Sequence, residues 1–153
     1  MIMNESNYYT IEEMECIKGE KNFPTRHITP SVVNMLEKAE VFVFGSNVYG
    51  HHAGGAARAA LRKYGAIWGQ GEGLQGQSYA IPTMEGIDNM KSAIERFVSF
   101  AKQHQELKFL VTAIGCGIAG YRPDEVAPFF KEVTNLENVY LPLPFWKVLF
   151  PKG

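Results

Sequence analysis

The sequence predicts a three-layer α/β/α domain with a mixed, partly parallel central sheet. Short runs rich in β-branched and aromatic residues alternate with amphipathic helical patterns, which is the signature of strands joined by helical crossovers. Three of the strand-like runs stop at glycine or proline turns, so their carboxyl ends are expected on one rim, where α/β sheets hold ligands. With 153 residues, 46% of them hydrophobic, the chain has the size of one domain with its own core. Residues 1–153 therefore read as a single unit.

The elements follow in order. Residues 1–28 are the least regular part, a segment covering a flank, with Tyr8-Tyr9-Thr10-Ile11 as a short strand. Thr29-Pro30 has the form of a helix start, Thr as N-cap and Pro at the first helical position, and Val32, Val33 and Leu36 carry an apolar stripe to Lys38. Val41-Phe42-Val43-Phe44 fits a strand buried on both faces and stops at Gly45-Ser46-Asn47. Residues 53–64 form a second helix, whose alanines permit close packing. The stretch 65–76, with five glycines in twelve residues, reads as loop. Ser78-Tyr79-Ala80-Ile81 is a strand ending at Pro82-Thr83. The strongest helical pattern spans 89–104, where Met90, Ala93, Ile94, Phe97, Val98 and Ala101 recur every three or four residues, with Asp88 or Asn89 as cap. Phe109-Leu110-Val111-Thr112-Ala113-Ile114 is a buried strand running into a second glycine cluster. A helix then starts near Pro123 or Asp124, residues 138–141 form a strand, and 146–150 add an edge strand or a packed tail.

Composition narrows the function. Fifteen basic residues against sixteen acidic give a net charge of −1, which argues against a broad nucleic-acid footprint. Cys16 and Cys116 have neither metal-ligand spacing nor the pattern of a disulfide scaffold. No apolar run reaches the ~18 residues of a membrane span, and the first residues lack the basic and apolar regions of a signal peptide. A cytoplasmic protein without membrane contact is expected.

Nine of the fifteen glycines lie between residues 45 and 76, and three more lie in Gly115-Cys116-Gly117-Ile118-Ala119-Gly120. Glycine at strand ends allows backbone to approach a ligand closely, and phosphate groups are often held by amide N–H groups and helix N-termini in this way. Neither cluster carries the Lys and Ser or Thr of a triphosphate-binding loop. The second matches Gly-x-Gly-x-x-Gly, but Glu137 precedes the next strand rather than ending it, so the dinucleotide fingerprint is incomplete. Asp124 and Glu125 would repel an anion at the following helix start, which places the anion over the glycine loop itself. In the first cluster Asn47 is either a sugar contact or a turn residue. Glu72, the only carboxylate of the stretch 69–78, is the general-base candidate, or else an exposed loop residue. His51 and His52 are possible contacts to a base or phosphate and lack the partners of a metal site. Cys116 reads as a small buried thiol, since no His or acid stands in a predictable partner position.

Val41-Phe42-Val43-Phe44-Gly45-Ser46-Asn47, Ala53-Gly54-Gly55-Ala56-Ala57 and Ile114-Gly115-Cys116-Gly117-Ile118-Ala119-Gly120-Tyr121 resemble the macrodomains, modules that bind ADP-ribose. With Gly71-Glu72-Gly73-Leu74-Gln75-Gly76-Gln77-Ser78-Tyr79-Ala80-Ile81-Pro82-Thr83, the chain is similar to a compact macrodomain-like branch of bacteria and phages. The resemblance covers residues 28–142. It implies that Asn47 contacts the distal ribose and that Gly45, Ser46, Gly54 and Gly55 form the loop beside it. It implies further that Gly115, Cys116, Gly117, Ile118, Ala119, Gly120 and Tyr121 form the loop that wraps the diphosphate, with the aromatic Tyr121 near the distal ribose. The implied ligand is ADP-ribose or a related nucleotide, free or attached to protein, with no cofactor or metal required. Two features depart from the family: Glu37 and Glu40 stand where an adenine-reading aspartate is expected, and Ala56-Ala57-Arg58 carries no acid after the first glycine loop. Binding is thus the expected function. ADP-ribosyl hydrolysis using Glu72, Asn47 or an ordered water is the alternative, and a protein-interaction module without ligand is the third reading.

Overall fold

The computed structural model describes residues 27–151; the strand expected at 8–11, and almost all of the covering segment 1–28, lie outside them. The strands are β1 (Ile28–Thr29), β2 (Glu40–Ser46), β3 (Gly73–Gln75), β4 (Ser78–Pro82), β5 (Lys108–Val111) and β6 (Val139–Pro142). They form one six-stranded sheet in the order β1-β6-β5-β2-β4-β3. Every neighbouring pair is parallel except β3 with β4. The helices are α1 (Gly55–Lys63), α2 (Ile87–Gln103), α3 (Pro123–Val126) and α4 (Leu143–Leu149), with a 3-10 helix over Ala127–Asn135. The architecture is α/β, with helical layers on both faces of a mixed, mostly parallel sheet.

Alternation along β2 divides the core. Val41 and Val43 face a cluster containing Met90, Ala93, Ile94, Phe97, Val98 and Ala101 of α2. Phe42 and Phe44 face the opposite side, against Ala57, Ala60 and Tyr64. Phe44 and Phe97 are both fully buried, and each such aromatic contributes roughly 1.5–3 kcal/mol by leaving water. The α2 stripe matches its sequence pattern, but the helix begins at Ile87 with Gly86 as N-cap and no capping side chain, so neither Asp88 nor Asn89 caps it.

Connectivity sets the position of the site. The chain leaves β2, covers one face with α1, and returns as β4 on one side of β2; it then covers the other face with α2 and returns as β5 on the other side. The connection from β2 goes to one face of the sheet and the connection from its neighbour β4 goes to the other, which opens a crevice at their carboxyl ends.

Further expectations are corrected or decided. The helix predicted from Thr29-Pro30 to Lys38 does not form. Thr29 instead pairs with Pro142, Tyr64 donates its hydroxyl to the Val33 carbonyl at 3.0 Å, and the Glu37 amide donates to the Glu40 side chain at 2.8 Å. The two groups that would make one helical i→i−4 bond therefore have other partners. The stretch 65–76 is not loop throughout: Gly73–Gln75 is a strand antiparallel to β4, joined by a two-residue hairpin with Gly76 at φ +60°. The helix expected near Pro123 makes one α-turn and continues as 3-10 helix. Pro128 has no amide for the Asp124 carbonyl and cannot extend the α pattern. Of the two expectations for 146–150, the edge strand does not form and the packed tail does: Leu143–Leu149 is helical, burying Phe145 and Trp146 in the core.

Candidate functional site

A cleft of about 520 Å³ opens at the carboxyl ends of β2, β4 and β5, a size suited to a small ligand. Gly45, Ser46 and Asn47 line it from β2, Thr83 and Met84 follow β4, and Thr112, Ala113, Ile114 and Gly115 follow β5. Gly54, Gly55, Ala56 and Ala57 add the start of α1, and Gly117, Ile118 and Ala119 add the opposite rim. The two glycine loops that the sequence singles out, whose first glycines Gly45 and Gly115 are seventy positions apart, thus meet at one opening. β2 and β5 are hydrogen-bonded neighbours, which is what brings them together.

The chemistry of the walls is largely that of backbone. The N-cap of α1 is Gly54, in an ordinary extended conformation (φ −152°, ψ 166°), and no side chain caps the helix. The first amides of a helix have no intrahelical acceptor, so those of Gly55, Ala56 and Ala57 are open to a ligand. On the facing rim the loop is closed internally by three bonds: Cys116 N–H to Ala113 O at 3.2 Å, Gly120 N–H to Gly117 O at 3.0 Å and Tyr121 N–H to Gly115 O at 2.9 Å. The amides of Gly117, Ile118 and Ala119 make no hydrogen bond to any described residue. Two sets of free N–H groups on one cleft are the arrangement by which backbone can hold an anion.

Glycine is required differently at different points of these walls. A Cβ at Gly115 would lie 2.9 Å from the Met90 sulfur, and the residue has φ +75°, so packing and conformation fix it. A Cβ at Gly54 or Gly117 would meet nothing within 4 Å, and neither residue has a positive φ. Folding does not demand glycine at these two positions. What they leave empty is the cleft.

The structure separates the proposed side-chain contacts. Asn47 lines the cleft, yet its amide also clamps a turn, donating to His51 O and accepting from His51 N–H, both at 3.1 Å. Each side of that amide retains one further hydrogen-bonding position for a ligand. His51 lines the cleft and stacks on Trp68 with ring centroids 5.0 Å apart and planes at 12°. His52 is not a ligand contact: it is fully buried, with Nδ1 2.7 Å from Ser46 Oγ and Nε2 3.1 Å from Gln75 Oε1. Cys116, Gly120 and Tyr121 do not line the cleft. Cys116 packs against the main core, and burial first, then Glu125 and Asp124, push its thiol up to about 11. It is a protonated thiol at neutral pH rather than a nucleophile.

Glu72 is also outside the cleft. Its carboxylate takes a two-pronged bond from Arg96 of α2, Nε to Oε2 at 2.5 Å and Nη2 to Oε1 at 2.8 Å. The adjacent buried Tyr79 hydroxyl is raised to about 12 by desolvation and by the Glu72 charge, against the lowering effect of Arg96. This carboxylate ties the β3 hairpin to α2 instead of serving as a base at the cleft, whose lining contains no Asp or Glu among the described residues.

The third glycine cluster proves to be a support. A Cβ on Gly71 would lie 2.2 Å from Asn47 O and 2.6 Å from Val48 O, and one on Gly50 would lie 2.3 Å from Gln70 N. The backbone of this stretch is pressed against the turn that carries Asn47, with Gly69 N–H donating to Gly50 O at 2.9 Å. Residues that sequence reasoning missed lie here and beside it. Gln75 is buried and bonded to four groups, and Trp68 is half-exposed against His51. Glu85 accepts from Val48 N–H at 3.2 Å while its Oε1 is buried without a partner. The Gly-Gln hairpin turn is the one sequence signal that points to Gln75 as a structured residue.

No family model matches this sequence, and no curated protein or solved structure matches it either. Among the described residues, no three His, Cys, Asp or Glu side chains are grouped to hold a metal ion, and no helix is long and apolar enough to cross a membrane.

Proposed function

We propose that the cleft binds a diphosphate-bearing nucleotide of the ADP-ribose type, free or as an ADP-ribosyl group on a protein. The observation that carries this reading is the pair of facing backbone walls. Unbonded amides of Gly117, Ile118 and Ala119 stand opposite the uncapped first turn of α1, and glycine leaves both surfaces bare where folding would accept a side chain. Donors without positive side chains suit a diphosphate held by geometry rather than by net charge. The resemblance of the two glycine loops to those of macrodomains supports the same ligand.

Binding is favoured over hydrolysis because no carboxylate lines the cleft among the described residues and Glu72 is engaged by Arg96. An open cleft also disfavours a pure protein-interaction module. Titration calorimetry with free ADP-ribose is the test. Wild type is expected to give saturable heat, and Gly117→Glu, which puts bulk and negative charge against the amides, is expected to bind at least about tenfold more weakly, or 1.4 kcal/mol. No heat from wild type at millimolar ligand overturns the reading. Release of ADP-ribose from a mono-ADP-ribosylated protein would favour the hydrolase, and loss of that release in Glu72→Gln would restore Glu72 to it.

A further inference from the structure

The buried side chains behind Ser46 form a hydrogen-bond chain whose direction can be worked out from fixed groups. The chain begins at Gln75, which is almost fully buried. Ile67 N–H, a backbone group that can only donate, meets Gln75 Oε1 at 2.8 Å. The carbonyls of Gln70 and Gly73, which can only accept, meet Gln75 Nε2 at 3.1 and 3.2 Å. The amide therefore cannot be flipped: oxygen faces His52 and nitrogen faces the carbonyls. His52 Nε2, 3.1 Å from that oxygen, must carry the proton. In the neutral ring Nδ1 then has a free lone pair, and Ser46, whose Oγ lies 2.7 Å away, donates its hydroxyl proton to it.

From this polarity we infer that Ser46 meets the cleft as a hydrogen-bond acceptor only, and that it selects ligands bearing a hydroxyl donor, of the kind a sugar supplies. The single proton on Ser46 Oγ is committed to His52, and only lone pairs remain for a molecule in the cleft that Ser46 lines. A phosphate oxygen, which needs a donor, is repelled from this point and directed to the amides on the rims. A sugar hydroxyl is accepted. The cleft is thereby polarised, with donors along the glycine walls and an acceptor at the end of β2. His52 and Gln75 are positioning residues in this arrangement, since they touch Ser46 or each other and not the ligand. Phe44 packs its ring against His52 edge-on with centroids 5.1 Å apart, which fixes the imidazole plane.

This inference rests on the nucleotide reading of the cleft, and two measurements keep them apart. Long-range ¹H–¹⁵N NMR of the histidine rings in wild type reads the tautomer without any ligand. The Nε2–H form of His52 is expected, and the Nδ1–H or doubly protonated form at neutral pH overturns the chain. Calorimetry with ADP-ribose then compares wild type with Ser46→Ala, in which thermal unfolding checks that the fold is kept. Loss of one neutral hydrogen bond is expected to weaken binding by roughly tenfold. Unchanged affinity in Ser46→Ala overturns the sugar contact while leaving the nucleotide reading in place, whereas no binding by wild type overturns both, whatever the tautomer. The Ser46→Thr variant retains the hydroxyl, and its failure to restore affinity in a folded protein also counts against the acceptor role.

Discussion

The glycines of the 65–76 stretch and those of the cleft have the same composition and opposite meanings. At Gly71 and Gly76 an added Cβ would fall 2.2 Å from Asn47 O and 2.7 Å from the Gly65 backbone. Glycine there is enforced from inside, because two backbones cross. At Gly54 and Gly117 the same atom would meet nothing within 4 Å among the described residues, so no described part of the fold enforces glycine there. Glycine-rich sequence therefore marks close approach, and only the structure tells whether the approaching partner is protein or ligand.

The largest expected effect breaks the first class. Gly71→Ala drives a methyl group into the Asn47 and Val48 carbonyls, which are backbone and cannot swing away, and should cost about 3 kcal/mol in urea unfolding. The same substitution displaces the turn held by Asn47, so ADP-ribose binding should fall with stability. Near-wild-type stability of Gly71→Ala would erase the distinction between the two classes.

The second class makes the opposite forecast. Gly117→Glu should unfold within about 0.5 kcal/mol of wild type while losing the tenfold or more in ADP-ribose affinity proposed above. A destabilisation comparable to that of Gly71→Ala would show that Gly117 is structural after all, and the anion site would lose one wall.

How much of this was legible in the sequence follows the same division. Val41-Phe42-Val43-Phe44 and the stripe of α2 declare themselves by period, because burial on two faces or one leaves a pattern in a single segment. Gly54, Gly55 and Gly117 were also readable as cleft residues, since each follows the carboxyl end of a strand. What could not be read depends on pairs distant in sequence. Tyr64 takes the Val33 carbonyl across 31 positions and helps prevent a helix whose local start signal, Thr29-Pro30, looks sound. His52 looks like its neighbour His51 in the sequence, but is turned inward by Ser46 and by Gln75, which is 23 positions away. Glu72 is a lone carboxylate among glycines until Arg96, 24 positions on, is brought against it.

Glu72 gives the comparison a smaller test from the supporting side. Its ion pair with Arg96 is partly exposed, with side-chain exposures of 31% and 56%, so solvent screens much of the attraction. Glu72→Gln should lower stability by about 0.5–1 kcal/mol and leave the ADP-ribose dissociation constant unchanged. A clear loss of affinity without loss of stability would place Glu72 at the ligand and move the third glycine cluster from support to lid.

The smallest effect on stability carries the sharpest sign. Gly54 is the N-cap of α1, has extended backbone angles that any residue adopts, and provides no capping side chain. Serine at an N-cap accepts a hydrogen bond from an amide in the first turn and exceeds glycine by a few tenths of a kcal/mol. If α1 were under selection for helix stability alone, glycine would be the poorer choice at this position. Gly54→Ser should therefore raise the unfolding free energy slightly, because its hydroxyl occupies one of the open amides. It should weaken ADP-ribose for the same reason, since that amide can no longer face the diphosphate. Stability and affinity moving in opposite directions from a single added hydroxyl is an outcome that general damage to the fold does not produce. Were both to fall, the space beside Gly54 would be needed by the helix itself and not by a ligand.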